Sequence, residues 1–182
     1  MSAPCGSRLA LVAALALASG CRDRAPEPAP ADRAQKRARH MLSEAERCAA
    51  ASATGREEAC RTACDLGHSN SCHGAGALRE ADGERAGALA LYTRACDGGS
   101  GLGCEAAGRT RRELGAGADG AEELDRRARF YLRVHCEQRH APSCLVLGRL
   151  YTTSRGGPAD RGSSQTFLER ACTFGLAAAC DR

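Results

Sequence analysis

The sequence predicts an all-α fold, a right-handed solenoid of about four stacked helical hairpins. Three observations carry this. Four cysteine pairs share one spacing, with seven residues between partners: Cys64/Cys72, Cys96/Cys104, Cys136/Cys144 and Cys172/Cys180. Their first members recur after 32, 40 and 36 residues, the period of helix–turn–helix units that bury a core only by stacking. The segments before these cysteines also place apolar residues at three- and four-residue steps, as helices do.

The N-terminus stands outside the fold. In residues 1–20, Arg8 precedes an apolar stretch, Leu9 to Ala18, with the size of a signal-peptide core and too short to span a bilayer. The small residues Ala18, Ser19 and Gly20 then lead into Cys21. This resembles a bacterial lipoprotein signal, in which the cysteine sulfur is lipidated and the cysteine becomes the first mature residue. Ala18 stands where leucine is commoner. The rival reading is an ordinary secretory signal with Cys21 as a free thiol. Residues 22–34 alternate charge and proline without apolar periodicity, which predicts a semi-extended tether over 21–35 ahead of a repeat domain at 36–182. In the resembled lipoproteins, a residue other than aspartate after the cysteine, here Arg22, favours the outer membrane. The chain is then an exported envelope protein facing the periplasm.

Twelve cysteines are present. Removing Cys5 with the signal and Cys21 to lipid leaves ten, of which eight form the repeated pairs and Cys48 and Cys60 remain for each other. An even count is what a disulfide framework in an oxidising compartment requires. Eight positions along an unbroken helix separate Cα atoms by about 12 Å, whereas a disulfide tolerates about 4.4–6.8 Å. The chain must therefore turn between partners. The intervening segments DLGHSNS, DGGSGLG, EQRHAPS and TFGLAAA carry the glycine, proline, asparagine or serine that a turn needs. Each bridge then clips the end of one helix to the start of the next, contributing roughly 2–3 kcal/mol by limiting the unfolded chain. Cys48 and Cys60 flank the turn-like Ser52-Ala53-Thr54-Gly55 and staple an antiparallel hairpin.

Three phenylalanines, three tyrosines and no tryptophan leave a thin core, for which cross-links substitute. The helices before the first cysteines read as 84–96, 121–136 and 163–172, with apolar stripes Leu89, Tyr92, Ala95–Cys96, then Phe130, Val134, then Phe167, Ala171. The shorter helices after the second cysteines read as 72–82, 104–114 and 144–153. Each carries glycine four residues after its cysteine, at Gly76, Gly108 and Gly148. Glycine costs about 1 kcal/mol inside a helix, so three in register predict close helix approach.

Leu-x-x-Tyr-x-x-Ala-Cys-Asp-Gly-Gly (89–99) followed by Gly-Cys-x-x-x-Gly (103–108) resembles the Sel-one-like repeat, a tetratricopeptide relative, and within it the cysteine-rich secreted branch. The resemblance covers about residues 36–182. It departs in an enlarged hairpin loop at 115–121, which accounts for the 40-residue interval, and in the lack of a closing helix after Cys180. Cys172–Cys180 is then the pin for the frayed end. The resemblance implies a scaffold for protein partners and not an enzyme. It also implies that the short helices line a concave face, making Arg79, Glu105, Arg109 and Arg149 candidate contacts. Some relatives bind or slowly hydrolyse β-lactams, so a protein that binds β-lactams or peptidoglycan fragments is the alternative.

No nucleophile elbow, phosphate loop or His-Glu-x-x-His helix occurs, and the single lysine, Lys36, precludes a Ser-x-x-Lys dyad within the repeats. Cys60, Cys64, His68, Cys72 and His73 are spaced closely enough to be a zinc set, but export and the repeated pairing favour cystines, so no metal or other cofactor is expected. His40, His135 and His140 stand singly beside helix ends, solvated or capping. Net charge is +4, or +3 without Arg8. The runs Arg109-Thr110-Arg111-Arg112 and Arg126-Arg127-Ala128-Arg129 have acidic neighbours and read as solvated helix faces, with binding to acidic partners or anionic lipid as the alternative. An exported chain is not expected to meet nucleic acid.

Overall fold

The computed structural model describes residues 29–50 and 55–180. The expected signal at 1–20, Cys21, most of the tether and the tip of the first hairpin turn lie outside these. Among the described residues there are eight α-helices and no strand: α1 Pro30–Ala49, α2 Arg56–Asp65, α3 Ser69–Ala81, α4 Arg85–Asp97, α5 Gly101–Glu113, α6 Ala118–Glu137, α7 Ala141–Thr152 and α8 Arg161–Thr173, followed by a 3-10 turn at Ala177–Ala179. Each helix packs on the next, and α3 and α5 also touch, as do α4 and α6, giving one layer of α3, α5 and α7 (the short helices of the sequence reading) on a second of α4, α6 and α8. The expected difference in length is corrected: α3, α4, α5 and α8 all have 13 residues and α7 has 12, so of these only α6, with 20, is longer. This is the stacked-hairpin architecture that the repeat predicts.

All five expected disulfides are formed: Cys48–Cys60, Cys64–Cys72, Cys96–Cys104, Cys136–Cys144 and Cys172–Cys180, with Cα separations of 4.4 to 4.9 Å. The turn inside each repeated bridge has one construction. After the first cysteine the helix unwinds into a left-handed residue at Gly67, Gly99, Arg139 or Gly175. The next amide then reaches back five residues, as from His68 to the Ala63 carbonyl and from Ser100 to Ala95, both at 2.9 Å. This motif caps the orphan carbonyls of one helix while reversing the chain into the next. The third repeat manages it with Arg139 (φ 66°) where the others have glycine.

Alanine and cysteine make up half of the main buried cluster, and leucine and tyrosine the rest. The main cluster runs from α4 to α7 around Ala88, Tyr92, Ala107, Leu124, Leu132, Leu147 and Tyr151. The three in-register glycines lie at close helix crossings. A Cβ on Gly76 would stand 2.6 Å from the Tyr92 ring, one on Gly108 2.8 Å from the Asp125 carboxylate, and one on Gly148 2.8 Å from Leu168. A carbonyl of the facing helix (Ala88, Ala121, Ser164) lies within 3.3 Å of each such position.

Three further expectations are corrected. Helix α1 begins at Pro30, inside the expected tether, because proline at the first helical position needs no amide partner. The 40-residue interval does not enlarge the loop, since α6 already starts at Ala118. Counted by what they pack against, Ala88, Tyr92 and Arg94 of α4 correspond to Ala121, Asp125 and Arg127 of α6, a shift of 33 residues, whereas Cys96 and Cys136 differ by 40. The seven extra residues extend α6 to 20 residues against 13 in α4, which is two further turns before its cysteine. The third correction follows. Phe130 is 64% exposed and Val134 is also exposed, and the buried stripe of α6 is Leu124, Ala128 and Leu132 instead.

Candidate functional site

The short-helix layer brings polar side chains of successive hairpins together. Glu80 of α3 accepts two hydrogen bonds from the Arg109 guanidinium of α5, at 2.6 and 3.0 Å, and a third from the Tyr92 hydroxyl at 2.7 Å. Chiefly through Arg109, and against the opposing effect of burial, these bonds hold the Glu80 carboxyl down at about 2. Burial, then the bond to Glu80, pushes the Tyr92 hydroxyl up, so it stays a donor. Arg109 also reaches Glu113 at 3.2 Å. Burial, followed by the positive charge of Arg109, lowers His73, whose ring tilts against Tyr92 at 5.6 Å. Beside the bridges, the Ser100 hydroxyl donates to the Asn70 side chain at 3.0 Å, joining the starts of α5 and α3.

A second cluster is buried. Asp125 has no exposed surface and receives Arg112 of α5 (2.7 and 3.3 Å) and Arg155 of the α7–α8 loop (2.9 and 3.2 Å). Arg155 extends the network to Glu105 at 3.1 Å. One turn along α6, the buried Arg129 donates to the carbonyls of Leu150, Thr153, Gly157 and Pro158 at 2.9 to 3.1 Å. Its guanidinium lies over the Tyr151 ring, 4.6 Å from the centroid. Glu122 accepts the Gly156 amide at 3.0 Å. The α7–α8 loop is thus strapped to the preceding hairpin by four residues of α6 and α5.

Of the four candidate contacts, Arg109 and Glu105 belong to these networks. Arg79 pairs with Glu84 and lies 3.8 Å from Glu57. Arg149 is exposed and makes no ion pair among the described residues. The basic runs are not solvated faces throughout. Thr110 and Arg129 are buried, Arg112 pairs with Asp125, and Arg127 binds the Cys96 carbonyl and Asp97, both at 3.0 Å. Arg94 makes the same clamp one hairpin earlier, on the Cys64 carbonyl (2.9 Å) and Asp65 (2.7 Å). In each clamp a cation sits at the negative end of a neighbouring helix.

His68 and His140 hold the residue before α3 and α7, each with its Nδ1 against a serine hydroxyl three residues on, Ser71 at 2.8 Å and Ser143 at 2.7 Å. Cys60, Cys64 and Cys72 are committed to disulfides. Among the described residues no three histidine, cysteine or acidic side chains gather as metal ligands, and no helix is long and apolar enough to cross a membrane. Five disulfides are those of a chain that matures in an oxidising, extracellular-type environment. No protein-family model matches the chain, and no curated protein matches it significantly.

Proposed function

We propose that the chain is a cell-envelope lipoprotein, held by lipid on Cys21 and facing the periplasm from the outer membrane, that binds a partner protein along its short helices. The observation that supports the binding face is a row of equivalent positions five residues after the second cysteine of the three middle bridges: Ala77, Arg109 and Arg149. Ala77 and Arg149 are exposed and Arg109 is partly so, giving one side chain per hairpin on a common face. The bonds Glu80–Arg109 and Asn70–Ser100 tie α3 to α5 on that face, so a partner meets a partly preorganised surface and spends less on ordering it. Arginine is also the charged side chain most often found at the energetic centre of protein interfaces.

The reading of the chain as a scaffold and not an enzyme is tested by assaying oxidised protein for hydrolysis of a chromogenic β-lactam and titrating the compound in a melting experiment. The scaffold predicts no turnover above background and no saturable rise in melting temperature. Turnover abolished by one point substitution in a folded, fully bridged protein would replace it with the alternative. Crosslinking pull-down from envelope membranes addresses the partner itself.

A further inference from the structure

Four of the five disulfides are closed to solvent. Cys48, Cys60, Cys64, Cys72, Cys96, Cys104, Cys136 and Cys144 are all buried. In the fifth, Cys172 is partly exposed and Cys180 is exposed. The same two cysteines line a cavity of about 580 Å³, together with Arg161, Gln165, Leu168 and Glu169 of α8. Cavities of about 300–1,000 Å³ are the size that small molecules occupy. A disulfide inside such a cavity is accessible to an incoming thiolate, and access is one of the factors that govern exchange.

We infer that Cys172–Cys180 is a thiol-exchange site, at which a small thiol of glutathione's size binds in the cavity and opens the bridge. The thiolate attacks Sγ of Cys180, the more exposed of the two cysteines. A new S–S bond forms between the thiol and Cys180 as the Cys172–Cys180 bond breaks, and the electron pair leaves on Cys172 as a thiolate, which takes a proton from water. Arg161 supplies a cation for the carboxylates of such a ligand, while the Gln165 amide donates to Glu169 at 2.8 Å and leaves its carbonyl oxygen as an acceptor for peptide N–H groups. Opening frees the turn from Thr173 to Cys180, where Ala179 packs with Ala171, Phe174 and Leu176. Helix α8 keeps its contacts with α7. The site is independent of the scaffold reading, because it lies on α8 and the final turn and not on the short-helix face.

The test treats the full-length oxidised protein with reduced glutathione, then blocks free thiols with iodoacetamide and maps the peptides. The expected product carries glutathione on Cys180 and carbamidomethyl on Cys172, with the other eight cysteines still bridged. It should form about tenfold or more faster than any other bridge opens. Its rate should saturate with glutathione and rise linearly with 2-mercaptoethanol, which is too small to use the cavity's polar groups. Opening of a buried bridge at a comparable rate overturns the assignment. So does a linear dependence on glutathione, or a common ceiling for both thiols, since the limiting step is then collision or loosening of the turn and not binding.

Discussion

A methyl group on residue 76 would stand 2.6 Å from the Tyr92 ring and 3.3 Å from the Ala88 carbonyl, so the ring or the backbone must move to admit it. Gly76→Ala is therefore expected to cost about 2 kcal/mol by overpacking. Gly67→Ala isolates a different effect. Nothing lies within 4 Å of its added Cβ, but the residue is left-handed (φ 106°), so only backbone strain of about 1 kcal/mol is expected. Denaturant unfolding at constant m-value measures both, and equal losses would contradict the distinction. Glu80 makes a pH prediction. Its folded-state carboxyl is held at about 2 against an ordinary 4.5. The stabilisation is thus present above 4.5 and is lost as pH falls toward 2. Glu80→Gln should destabilise the protein at pH 7, and the gap from the parent should narrow between pH 4.5 and 2. A gap that is constant with pH would remove Glu80–Arg109 from the account.

At the scale of the element, α6 decides the geometry of the second half. Its seven extra residues carry Cys136 two turns past the point where α4 ends, which leaves Phe130 and Val134 outside the packed face. The cysteine spacing made the bridges and the helix order legible, because a fixed interval survives any change in what lies between. The same spacing misled for the side chains of α6. Counting back from the cysteine aligns Leu132 with Tyr92, while packing aligns Asp125 with it. Asp125 and Arg129 were hidden for that reason, since charged residues in a basic run resemble a solvated face until their partners in the α7–α8 loop are seen. Asp125→Asn keeps the shape and removes the charge that faces Arg112 and Arg155. Breaking a buried pair from one side costs about 3–5 kcal/mol, and the partly exposed arginines place this case at roughly 3. Amide exchange in residues 153–160 should accelerate with it. A loss below about 1 kcal/mol with an unchanged loop would show that Arg129, Glu122 and Glu105 hold the strap without the Asp125 charge.

At the scale of the whole molecule, five bridges and a small-residue core describe a chain cross-linked because it buries little per residue. The proposed function puts membrane attachment at Cys21, ahead of this body. Cys21→Ser is expected to move the protein from the membrane fraction to the soluble fraction after export, and a mutant as firmly bound as the parent would remove the lipid anchor. The central claim, that the short-helix layer is the binding face, is tested by placing a photo-crosslinking residue at single exposed positions in cells. Ala77 and Arg149 sample α3 and α7 of that layer, and Ala90 and Thr166 sample α4 and α8 of the other. The account predicts one common adduct from positions 77 and 149, weakened when Arg109 is replaced by alanine, and none from positions 90 and 166. Adducts confined to positions 90 and 166, or none from any position in the growing cell, would contradict it.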